Sequence, residues 1–129
     1  MLTDPKSSAM VRENRIYSRV KFRWPAMIFL EGKDLEGITR NISVNGAFIY
    51  YYQPHDQGIP LPLNQRVAAV IRVPERLPLL LQAEVVWSDF LSSDEENTLL
   101  GVGLRFIDIF YEDRQYLREA IAGHRREKE

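Results

Sequence analysis

Two guanidinium groups four positions apart, Arg15 and Arg19, and a polar run further along, Asn41-Ile42-Ser43-Val44-Asn45-Gly46, are the residues whose types and spacing suit recognition of a compact anion. A guanidinium is a planar fork of donors. It pairs with phosphate oxygens or with the O6/N7 edge of guanine, and its plane stacks on a purine face. Asn41 both donates and accepts, Ser43 supplies a small hydroxyl, and Gly46 lets backbone or ligand approach closely. Taken singly, each element has a plain explanation: an arginine pair in a leader is ordinary solvated charge, and Asn, Ser and Gly are common turn residues.

The charge distribution favours the same chemistry. The formal net charge is only −1, yet residues 1–23 carry six basic residues against two acidic ones, leaving eleven basic and sixteen acidic residues, a net −5, in the rest of the chain. Long nucleic acid calls for a broad basic surface, so a short cationic arm on an acidic body fits a small anion and argues against DNA or RNA as partner. The absence of cysteine excludes disulfides, thiolate metal ligands and a cysteine nucleophile, and it suits a reducing cytoplasm. Residues 1–10 lack the apolar core of a signal peptide, and Leu77–Leu81 is too short, and interrupted by Pro78, to cross a bilayer. The expected location is therefore cytoplasmic, with no membrane partner.

The elements that must position these residues read mainly as strands. At 129 residues and 45% hydrophobic the chain has material for one core. Val20, Phe22, Trp24, Ala26, Ile28 and Leu30 alternate with the period of a half-buried strand, and Glu31–Asp34 supplies a turn. Further strands are predicted over Gly37–Ile42, Ala47–Tyr52, Val67–Val73, Leu79–Trp87 and Leu99–Phe106. Gln53–Asn64, with three prolines and a glycine, is a loop, and Ser92–Asn97 a polar turn. Six short strands suggest a barrel or a curled sandwich, because closure removes unpaired edges. Ile109, Asp113, Tyr116, Leu117, Ala120 and Ile121 recur at helical spacing, as in an amphipathic helix lying across a barrel mouth. The expected organisation is a flexible leader over 1–13, one domain over 14–123 and a charged, frayed tail over 124–129, with no internal repeat.

In this order and spacing the two polar elements resemble the signature of the PilZ-domain family. That signature is an arginine, three residues and an arginine, then, beyond a strand pair, Asp or Asn, any residue, Ser, any two residues and Gly. Gly101-Val102-Gly103-Leu104-Arg105-Phe106 resembles the closing strand of such domains, and a terminal helix follows it. The resemblance covers roughly Asn14 to Gly123. It implies a six-stranded antiparallel β-barrel with a C-terminal α-helix, binding cyclic di-GMP on its outer face. It further implies that Arg15 and Arg19 form a mobile clamp on phosphates and guanine edges, while Asn41, Ser43 and Gly46 form a wall against a guanine and its ribose-phosphate. Asn41, where Asp is commoner, removes a charge that would repel phosphate.

No residue pattern points to catalysis. His55 sits in a Pro/Gly loop and His124 in the charged tail, neither beside a second ligand type, and Asp94-Glu95-Glu96 reads as a solvated turn rather than a cation site. Ser43 has no visible histidine partner. Trp24 and Trp87 are expected in the core or at strand ends, and Tyr50-Tyr51-Tyr52 must alternate faces, leaving at least one ring exposed. The expectation is a non-enzymatic cyclic di-GMP receptor without metal or cofactor. It switches conformation to regulate motility, biofilm or exopolysaccharide output through a protein partner or a second copy of itself, as in a homodimer. The alternative is a ligand-free PilZ-like adaptor that docks a protein partner.

Overall fold

In the computed structural model, which describes residues 19–128 and their side chains through His124, the alternating segments become six antiparallel strands. They are β1 (Pro25–Leu30), β2 (Lys33–Ile42), β3 (Gly46–Pro54), β4 (Arg66–Ile71), β5 (Leu79–Ser93) and β6 (Asn97–Ile109). They close into a barrel in the order β1-β2-β3-β6-β5-β4, so every strand is paired on both sides. The inward half of each alternation fills the barrel: Ile28, Leu35, Ile49, Ile71, Leu79, Val85, Leu100 and Val102 are all fully buried. One turn needs a special backbone: Gly32, between β1 and β2, has a φ of 76°, which glycine adopts without a Cβ penalty.

The boundaries depart from the alternation in informative ways. Val20 and Trp24 are buried as their period requires, yet β1 begins only at Pro25. Val20 instead makes an isolated bridge to Ile42, with backbone bonds of 2.9 Å in each direction. Trp24 is held by Thr39, whose Oγ1 accepts from the Trp24 N–H at 2.8 Å and donates to the Phe22 carbonyl. Apolar alternation there reports burial of an arm laid along β2, where the β2–β3 register shifts between Thr39 and Asn41. The β5–β6 hairpin is longer than the apolar runs suggest, pairing from Leu81 with Ile109 out to Ser93 with Thr98 and absorbing three register shifts. His55–Gln57 forms a 3-10 turn within the expected loop.

Helix α1 spans Tyr111–Lys128, past the expected domain limit at Gly123. Glu112 and Asp113 sit in its first turn, where negative charge complements the helix dipole. Leu117 and Ile121 join the barrel's apolar cluster. Because successive strands alternate direction, the arm, the β2–β3 turn, the β4–β5 turn and the start of α1 gather at the same end of the barrel. The contacts agree: Arg76 from the β4–β5 turn pairs with Asp113 at 2.8 Å and lies over the Tyr116 ring, and Phe22 of the arm packs edge-on to His124.

Candidate functional site

Arg19 and Asn41, 22 residues apart in the chain, meet at that end: Arg19 Nη1 donates to Asn41 Oδ1 at 3.0 Å. The preceding folds make this contact. Val20 is pinned antiparallel to Ile42, so Arg19 lies across from Ser43 and its long side chain reaches diagonally to Asn41. Arg19 is exposed and Asn41 half-buried, which leaves the remaining guanidinium donors and the Asn41 amide facing solvent. Arg15, the other arginine expected to contact a ligand, lies outside the described residues.

Ser43 and Gly46 flank the β2–β3 turn, whose central residues are Val44 and Asn45. The Ser43 N–H donates to the Gly46 carbonyl at 2.8 Å, and Ser43 Oγ accepts from the Asn45 N–H at 3.2 Å. With a relative exposure of 3%, Ser43 uses its hydroxyl chiefly to shape the turn. Gly46 is a close-approach position: a Cβ there would stand 2.4 Å from the Leu104 carbonyl oxygen. Of the motif, then, Asn41 is half-exposed, while Ser43 and Gly46 are buried and shape the turn.

The outer face beyond the turn continues the surface. Gly46 pairs with Arg105 on β6, and Arg105 pairs with Glu84 on β5 in both register and ion pair. Further along, Phe48, Gly103 and Trp87 stand abreast. Trp87, expected in the core or at a strand end, is on the outside with 36% exposure, because β5 continues past it and shifts register between Val85 and Trp87. Its indole lies over Gly101 and Gly103 and tilts against Phe48, ring centroids 4.9 Å apart. The glycine spacing of β6 was the available sequence signal, since two outward positions without side chains leave a shelf that a neighbouring ring covers. Around the closed barrel, Asn41 on β2 and Trp87 on β5 are separated by β3 and β6.

Two contributors had no local sequence signal. Thr39 anchors the arm as described, and Arg114 of α1 donates through Nη1 to the Val44 carbonyl and to Asn45 Oδ1, each at 2.8 Å. Elsewhere, Asp94 accepts from the Glu96 and Asn97 N–H groups at 2.9 and 2.8 Å, closing the β5–β6 turn. The bond from the Asn97 N–H, then that from Glu96, holds its carboxyl below the usual range. His55 donates from Nε2 to the Asn97 carbonyl at 3.1 Å. The Tyr triplet alternates as expected, with Tyr51 buried and Tyr52 60% exposed.

Comparison with known proteins adds an independent view. The family model for the PilZ domain matches residues 13–123. No curated protein matches the chain. Among solved structures, it is similar to the inhibitor of motility MotI/DgrA of Bacillus subtilis, at 18% identity and a TM-score of 0.68, over 88% of this chain and 51% of that one. It is similar to the PilZ domain of YcgR from Escherichia coli with c-di-GMP, at 15% identity and a TM-score of 0.65, covering 87% of this chain and 92% of that one. It is also similar to MrkH of K. pneumonia in its apo state, at 15% identity and a TM-score of 0.69, over 89% of this chain and 53% of that one. The chain thus spans about half the length of the Bacillus and MrkH chains. At these identities the likeness is one of fold.

Proposed function

Because the chain belongs to the PilZ-domain family, we propose that it is a receptor for cyclic di-GMP, binding it on the outer face around Arg19 and the Asn41–Gly46 turn. The hydrogen bond between Arg19 and Asn41 carries this reading, since it joins the two halves of the motif into one surface. The ligand brings two phosphodiester charges and guanine acceptors. Arg19 offers charge-assisted donors to either, and Asn41 offers an amide edge.

Arg19 and Arg15 take different parts. Arg19 adjoins a residue hydrogen-bonded on both backbone groups, so it belongs to a surface formed before ligand arrives. Arg15, four residues upstream, supplies the second guanidinium of the clamp. The output is a change of conformation, regulating motility, biofilm or exopolysaccharide functions through a protein partner or a second copy of the chain, rather than a reaction. The site acts in the cytoplasm, free of membrane, metal and cofactor.

Calorimetry with cyclic di-GMP tests this directly. Replacing either Arg15 or Arg19 by Ala removes charge-assisted bonds worth about 1.5–3 kcal/mol, so affinity is expected to fall on the order of tenfold to a hundredfold. No heat of binding to the unaltered chain, with GTP and cyclic di-AMP as controls, would put the adaptor in the receptor's place.

A further inference from the structure

We propose that Arg114 is a positioning residue for the binding wall: from helix α1, it holds the β2–β3 turn in the shape that presents Asn41 to the ligand. This rests on the receptor reading and adds to it a residue outside the family motif.

The turn needs such a tie. It is a two-residue connection between paired strands, with Ile42 opposite Ala47 and Ser43 bonded to Gly46. Two-residue hairpins favour turns with positive φ at the first or at both central positions, because only those match the strand twist. Neither Val44 nor Asn45 has a positive φ. The turn therefore departs from the self-stabilising geometry and is held from outside.

Three groups hold it. Ser43 Oγ bonds within the turn, the Phe106 N–H donates to the Asn45 carbonyl at 2.8 Å, and Arg114 takes both the Val44 carbonyl and Asn45 Oδ1 at 2.8 Å. Among the described residues, Arg114 alone reaches both central residues from another element, across about 70 positions of chain. Its acceptors are neutral carbonyl oxygens, so the guanidinium keeps its full charge beside a wall that must receive phosphate. Both bonds start from the same nitrogen, Nη1, so a compact ammonium on a similar stem can replace much of what it does.

The neighbouring residue supplies an internal control. Asp113 ties the same helical turn to Arg76 on the opposite side of the barrel mouth, without touching β2–β3. Loosening α1 through Arg76 and loosening it through Arg114 should thus be alike for helix docking and different for the wall.

The test is calorimetric titration of the full chain with cyclic di-GMP, with thermal unfolding of each variant and two-dimensional NMR of the ligand-free amides. Arg114→Ala is expected to weaken binding about tenfold, which converts to about 1.4 kcal/mol. Arg114→Lys should recover most of that. Asn45→Ala should weaken it less, because the Val44 carbonyl remains, and the double variant should be no weaker than Arg114→Ala alone. Arg76→Ala should lower the unfolding temperature while leaving affinity within twofold and the Asn45 and Gly46 amide signals in place, signals that Arg114→Ala shifts. Unchanged affinity in Arg114→Ala, or an equal affinity loss in Arg76→Ala, overturns the proposal while leaving the receptor reading intact. An unaltered chain that takes up no cyclic di-GMP overturns both.

Discussion

At position 46 the requirement for glycine comes from a neighbouring backbone. A methyl group there would press on the Leu104 carbonyl at 2.4 Å, and that oxygen belongs to a strand paired on both sides, so relief requires β6 itself to move. Gly46→Ala is expected to cost about 1–3 kcal/mol, read by urea unfolding, alongside any loss of affinity. Tyr51 poses the opposite case: its hydroxyl is buried without a hydrogen-bond partner, and burial pushes its pKa up to about 12. The unfolded phenol titrates near 10, so between about pH 10 and 12 the unfolded chain loses a proton that the folded one keeps. Stability from this group is complete below pH 10 and declines at roughly 1.4 kcal/mol per pH unit until the folded phenol ionises. In Tyr51→Phe that alkaline decline should shrink, and stability at pH 7 should be unchanged or slightly higher, because an unsatisfied hydroxyl is removed. Chemical denaturation at stepped pH measures both.

Elements here are defined as much by side-chain ties as by ladders, and the arm over Arg19–Trp24 shows it. Thr39 Oγ1 serves the Trp24 N–H and the Phe22 carbonyl at once, and Phe22 stacks on Trp24 with ring centroids 4.6 Å apart. Thr39→Val preserves shape but strands a buried N–H, so it is expected to cost about 1–3 kcal/mol and to speed hydrogen exchange at Trp24. The same arm shows what was legible in the sequence. Period-two burial at Val20 and Trp24 was readable because it follows from side-chain type alone. That the arm is bridged rather than laddered was not, since it depends on Thr39 and Ile42 arriving from another strand. The outward face of Trp87 was not legible for a related reason: a register shift reverses the faces, and nothing in a run of valines and a tryptophan marks it. Ser43 and Gly46 were found through the motif, but their main work in shaping the turn becomes visible only beside Leu104 and Asn45. Arg114 could not be singled out at all, because an arginine in a charged helix is ordinary until its acceptors are known.

For the whole molecule, the barrel end gathers the arm, two turns and the start of α1, with Arg19–Asn41 and Arg114–Asn45 tying the binding wall and Arg76–Asp113 tying α1 separately across the mouth. A ligand bound there couples to global stability. At a hundredfold excess over Kd, cyclic di-GMP is expected to stabilise the fold by about 2.7 kcal/mol. Differential scanning calorimetry should show a rise of several degrees that diminishes in Arg19→Ala and weakens with added salt, as charge-assisted binding requires. The tie from Arg114 to Asn45 also has a consequence for biosynthesis. It spans 69 positions, and β1 cannot close on β4 until the intervening strands exist, so the pocket draws on early and late parts of the translated chain alike. A polypeptide still emerging from the ribosome already displays Asn41 and Gly46 but lacks the residue that sets the turn between them. A chain ended before Arg114 is therefore expected to bind cyclic di-GMP more weakly than the full chain, as titration of the two would read.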